Sequence, residues 1–314
     1  MNRLSSRPNI FETNIFYLIL GLVFIGLGSY VQHKDIYIGL IITEYLIILL
    51  PTVLYLVVRG YNLKETLRLN KLSIKQTLMI PLIVILIYPV GMFMNSLMMI
   101  IISFLGEIQP PPIPVPDTGL ELLISLFVIA ISAGICEEVM FRGLVMKAYE
   151  GLGVKKAIII SAILFGIFHF NIQNLLGPIF LGLVFGYIVY KTNSIFASIL
   201  AHITNNAIAT LLNYFIRNSV NMNPQVNNEL VQNIPYPLIM TMGAISIGAV
   251  AVVTGLIAFF LIKALPQSRN SILNKAREDV QETNIEKLTL KKAVPLFVMG
   301  LIYIGMSVLY ISSI

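Results

Sequence analysis

Six side chains between residues 137 and 206 have the types and spacing to do chemistry: Glu137, Glu138, Arg142, His169, His202 and Asn206. A carboxylate and an imidazole facing one water can activate it as a nucleophile. A second imidazole and a carboxamide can donate hydrogen bonds to a developing oxyanion. Glu137 with His169 would be the first pair and His202 with Asn206 the second, which suits hydrolysis of an amide or ester bond. A metal reading competes, because two histidines and a glutamate are ligands enough for a catalytic zinc. If there is a metal, Glu137, His169 and His202 are its ligands. The H-E-x-x-H signature that places two ligands and a base on one helix is absent, and the preferred reading has neither metal nor cofactor.

Helical spacing assigns partners. Glu138 and Arg142 stand at i and i+4 on one face, where they can form an ion pair. At 3.6 residues per turn Glu137 points about 100° away, toward a different neighbour. His202 and Asn206 also share a face, and so do Phe165 and His169, which puts an aromatic contact one turn below the imidazole. Each has a plainer reading. Glu138–Arg142 can be a structural pair that locks its helix, a lone membrane histidine can hydrogen-bond between helices, and Asn206 can be helix–helix glue. Asn205 lies off the His202 face and reads as packing, and Cys136 as an inert small hydrophobe.

The elements that must carry these groups are apolar. The chain has 314 residues, of which 57% are hydrophobic and 11% charged, against about 25% charged in soluble domains. Apolar runs of 18 residues or more make it an all-α, polytopic membrane bundle. Nine spans are expected, near 14–31, 36–58, 77–105, 119–146, 157–171, 175–190, 194–214, 237–262 and 293–312, or eight if one of the weaker runs fails. The shortest are marginal for a hydrocarbon core about 30 Å thick. Residues 14–31 read as a retained span, since no small-residue cleavage site follows them. The proline-rich "EIQPPPIPVPDTG", 107–119, reads as an extended outer loop, and 263–292, polar with alternating charges, as a cytoplasmic linker. Residues 1–314 read as one transmembrane domain with a motif-bearing core at 119–210.

With the N-terminus in the cytoplasm and nine alternating spans, every one of the 21 Lys and Arg residues except Lys34 and Arg217 falls on the inside. The positive-inside rule therefore favours N-terminus in and C-terminus out, in a bacterial plasma membrane. The net charge of +6 is explained by those loops, and no nucleic-acid surface is indicated. Measured from the nearest cytoplasmic lysine at ~1.5 Å per residue, Glu137, His169 and His202 lie roughly 15, 20 and 17 Å deep. One acid and two imidazoles from three spans thus arrive at one level, as a single intramembrane site requires; it is expected to open toward the cytoplasmic side. Charged groups there cost about 2.5–3.5 kcal/mol each and persist mostly for function.

Three motifs carry a resemblance. "EEVMFR" fits E-E-x-x-x-R, "FGIFH" fits F-x-x-x-H and "HITNN" fits H-x-x-x-N, in that order. The segment 119–210 resembles the CAAX prenyl protease and bacteriocin-processing (CPBP or Abi) family of intramembrane proteases. The resemblance implies an intramembrane endopeptidase of the glutamic type. By it, Glu137 and His169 activate water, His202 and Asn206 stabilise the oxyanion, and Glu138 and Arg142 position the site. Its partners would be membrane lipid and a peptide or C-terminal protein segment, with or without a lipid attached. Two readings of other classes stay open: a proton-coupled transporter, since Glu and His relays mark such pathways too, and a noncatalytic immunity or scaffold protein. The substrate, the cleavage position and the oligomeric state are not legible in the sequence.

Overall fold

The computed structural model describes residues 7–108, 114–222, 234–268 and 287–314. Each of the nine apolar runs forms a helix: α1 (Ile10–Lys34), α2 (Ile36–Val58), α3 (Ile74–Ser103), α4 (Gly119–Leu152), α5 (Val154–Phe168), α6 (Leu176–Thr192), α7 (Ile195–Met222), α8 (Tyr236–Ala264) and α9 (Leu290–Ser312). Polar residues flanking the runs cap orphan backbone N–H groups and set the starts. Asn9 caps α1, Asp35 caps α2 and Thr118 caps α4. Ser73 and Gln76 form a reciprocal capping box on α3, which moves its start to residue 74.

Seven of these helices are long and apolar enough to cross a membrane. The protein is an integral membrane helical bundle. The expected count of nine spans is corrected here. With 15 and 17 residues, α5 and α6 are roughly 22 and 26 Å long, short of a ~30 Å core. They form a hairpin that packs on itself and against α3 and α7. Gly182 makes the close approach possible: a Cβ there would sit 2.8 Å from the Ala162 Cα. Small residues at such crossings are how membrane helices gain contact where lipid is as apolar as leucine.

Contacts at the two ends establish the alternation of the helices. At one end Arg59 pairs with Glu12 at 2.5 Å, Asn14 donates to the Lys292 carbonyl at 2.7 Å, and Lys191 donates to the Ile262 and Lys263 carbonyls at 2.7 Å each. At the other, Tyr37 meets Ser125 at 2.9 Å and Arg217 meets Asp117 at 2.8 Å. The basic residues between α2 and α3, and Lys191 in the last turn of α6, lie at the first end. Most of the segment 263–292 falls at 269–286, outside the described residues, and its edges belong to α8 and α9; positions 109–113 of the proline-rich loop also lie outside them.

The site-bearing helix lies inside the bundle. Of the most apolar window of α4, 39% is buried, against 17% for α8 and for α9, so the last two face lipid. On one side of α4 an aromatic core joins Tyr17 of α1 to Phe141, Phe165 and Phe168. Two stretches of α4, Leu126–Ser132 and Val139–Val145, have the wide turns of a π-helix, as does Ile42–Leu49 of α2. Such turns re-aim side chains locally and recur at functional sites.

Candidate active site

Glu138 is the hub. It is fully buried, and its Oε1 accepts from Arg142 Nη1 at 2.9 Å, one helical turn on. The same oxygen lies 2.9 Å from His202 Nδ1, which reaches it from α7. The Arg142 guanidinium stacks on the Phe165 ring, 4.5 Å from its centroid, and lies 5.6 Å from that of Phe185. Its charge is therefore met by one carboxylate and two aromatic faces, which is how a desolvated guanidinium is accommodated. Below it Arg68, in the loop after α2, donates to the Arg142 carbonyl at 3.4 Å and ion-pairs with Glu150. Burial pushes the Arg68 guanidinium down to about 10, which leaves it charged at neutral pH.

Glu137 lies on the adjacent face. Its Oε2 is 4.0 Å from His202 Nε2, too far for a hydrogen bond, and has no hydrogen-bond partner among the described residues. His202 therefore bridges the two glutamates, Nδ1 toward Glu138 and Nε2 toward Glu137. Its Nδ1–H donates to the Glu138 carboxylate, an acceptor-only group when ionised.

His169 closes α5 at the tip of the hairpin. Its Nδ1 lies 2.8 Å from the Phe165 carbonyl. A carbonyl only accepts, so Nδ1 carries the proton and Nε2 keeps the lone pair of the neutral ring. The Phe165 ring meets both imidazoles edge-on, with centroid separations of 4.9 Å to His169 and 5.7 Å to His202. No hydrogen bond or ion pair joins His169 to Glu137 among the described residues. Asn206, one turn beyond His202, donates from Nδ2 to the Ile129 carbonyl at 3.0 Å and accepts from Asn205 at 3.1 Å. A carboxamide has two N–H donors, so one remains.

The structure thus gathers Glu137, Glu138, Arg142 and His202 into direct proximity. It links His169 to them through Phe165 and holds Asn206 on the next turn. Among the described residues no three His, Cys, Asp or Glu side chains are grouped as a metal ion would require. Glu44 of α2 is the polar residue that sequence reasoning passes over. It is 5% exposed, its Oε2 lacks a hydrogen-bond partner among the described residues, and its stretch of α2 packs against Ala133–Glu138 of α4. The signal was an acid inside the apolar run "ITEYLIIL", costly for the same reason as Glu137.

Residues 119–208 match the family described as Rce1-like, type II CAAX prenyl endopeptidase. The match covers under a third of the chain, and it contains all six residues with which the sequence analysis begins. No curated protein and no solved structure matches the chain. The resemblance drawn from the three motifs is borne out over this segment, and the match supports a CAAX-type protease within the membrane.

Proposed function

We propose that this protein is an intramembrane endopeptidase of the glutamic type, which hydrolyses a peptide bond in a membrane-associated peptide or protein segment. One observation carries the reading: Glu137, Glu138, Arg142 and His202 converge in a buried cluster inside the segment that matches a peptidase family. Glu137 takes a proton from water while His169, its Nε2 lone pair free, holds that water by a second hydrogen bond. The oxygen adds to the carbonyl carbon. The oxyanion formed receives hydrogen bonds from His202 Nε2–H, in the doubly protonated ring that the Glu138 carboxylate stabilises, and from the spare N–H of Asn206. Collapse breaks the C–N bond, and the proton held by Glu137 passes to the leaving nitrogen. Glu138 and Arg142 orient His202 and take no proton. The reaction as written needs no metal.

Membranes bearing the wild type and Glu137→Ala are to be compared by proteomics for segments that accumulate uncut. Purified Glu137→Ala and His169→Ala are expected to lose at least about 100-fold in cleavage rate while unfolding at the wild-type temperature. Undiminished turnover by both overturns the reading. A chelator is expected to leave the rate unchanged. Loss on chelation restored by Zn²⁺ would replace the glutamic mechanism by a metal one. Flux in sealed vesicles without cleavage marks a carrier, and function surviving loss of both Glu137 and His169 marks a noncatalytic scaffold.

A further inference from the structure

Arg68 belongs to none of the three motifs and lies in the loop after α2, yet it is 7% exposed and touches both helices that carry the cluster. Its Nη1 donates to the Arg142 carbonyl at 3.4 Å, inside the wide-turn stretch Val139–Val145 of α4. Its Nη2 ion-pairs with Glu150 near the end of α4, where Lys147 also pairs with Glu150 at 2.9 Å. The Arg68 carbonyl accepts from the Ile195 backbone nitrogen at 3.1 Å, an N–H at the start of α7 that has no acceptor within its own helix. His202 follows about two turns on. A guanidinium presents its donors in a rigid fork that fixes two acceptors relative to each other, whereas an ammonium is one point on a flexible stem.

The neighbours of Arg68 bridge the same two helices. Leu67 is buried in a cluster with Val139 and Leu144 of α4 and Ile195 of α7, and a Cβ on Gly143 would sit 2.4 Å from the Leu67 Cδ2. Asn70 donates to the Asn193 carbonyl at 2.7 Å and accepts from the Ser194 hydroxyl at 2.5 Å, just before α7 begins. Arg68 itself has a left-handed backbone, with φ 49°, a conformation that favours glycine. A side chain is held in such a region only when its surroundings over-determine it, and here contacts from two helices do so.

We propose that Arg68 is a positioning residue, a clasp that fixes α4 against α7 and thereby sets the 2.9 Å contact between Glu138 and His202. It does not touch the substrate. The clasp rests on the proposed function for its effect on rate, but not for its effect on the contact itself.

The test uses two variants and two arms. Arg68→Gly deletes the fork while glycine keeps the left-handed backbone and the carbonyl for Ile195. Arg68→Lys keeps the cation and loses the fork. In the first arm, histidine isotopically labelled at the ring nitrogens is incorporated into the full chain in detergent, and the Nδ1–H proton signal of His202 is assigned by its loss in His202→Gln. Arg68→Gly is expected to move that signal upfield, as a weakened hydrogen bond does, and Arg68→Lys to move it less. If Arg68→Gly does not fold, Arg68→Lys alone decides. A signal unmoved in the folded variants, even with a lower unfolding temperature, would make Arg68 merely structural and overturn the clasp, as would a wild type with no such signal. In the second arm, kcat and KM are measured with a fluorogenic prenylated C-terminal peptide. Arg68→Gly is expected to lower kcat about tenfold or more with KM little changed, and Arg68→Lys to recover part of the loss. A rise in KM with kcat unchanged would place Arg68 at the substrate and overturn the proposal. A wild type that cleaves no peptide defeats the protease reading, while the spectroscopic arm still decides the clasp.

Discussion

At the scale of residues, Arg142 concentrates the energetic stakes. It is 1% exposed, and its main anionic partner, Glu138, is also a partner of His202. Truncating one member of a buried pair strands the other charge and costs about 3–5 kcal/mol. Arg142→Met is therefore expected to lower the unfolding temperature in detergent markedly and to abolish cleavage, whereas Glu137→Ala removes activity alone. Thermal unfolding of the two variants side by side checks this. The Glu138–Arg142 pair was legible in the sequence because i,i+4 geometry is local. The link from Glu138 to His202 was not, because it joins positions 64 residues apart and depends on how α7 is rotated against α4. Depth along each helix could be counted from the lysines, but rotation could not. Glu44 was legible by the cost argument and had no motif to draw attention to it.

At the scale of elements, the geometry of the cluster depends on how closely α7 approaches α4. Gly134, one turn before Glu138, sets that distance: a Cβ there would come within 2.6 Å of Ile203 Cγ1 and 3.1 Å of the Ile203 backbone nitrogen. Ile203 follows His202, so moving its backbone moves the imidazole. Gly134→Ala is expected to cost about 1–3 kcal/mol and to lower kcat about tenfold or more, since small misplacements of catalytic groups are costly. No chemically active group is removed by this change. Steady-state kinetics with an unfolding midpoint for the same preparation checks it. Each apolar run located one of the long helices among the described residues, since hydropathy reports element existence well. They did not reveal the wide turns in α2 and α4, which follow from tertiary packing rather than residue type.

At the scale of the whole molecule, we propose an orientation from the end that carries the lysines. The hairpin of α5 and α6 returns to the end it left, so seven crossings and nine alike would put the two ends of the chain on opposite sides. With the basic end facing the cytoplasm, Lys64→Cys is expected to react with a membrane-impermeant thiol reagent only after cells are opened, and Lys34→Cys in intact cells. Cys136 is fully buried and adds no background label. The reverse pattern would place the basic end outside.

The bond from Asn14 to the Lys292 carbonyl joins positions 278 residues apart, and Asn14 also accepts from Tyr149 at 2.6 Å. During synthesis α1 enters the bilayer long before either partner exists. Until α4 arrives, and then α9, its carboxamide is left to the water at the basic end of the bundle. The two bonds tie the first-made helix to a middle one and to the last-made one, so the bundle closes on Asn14 only when the whole chain is in place.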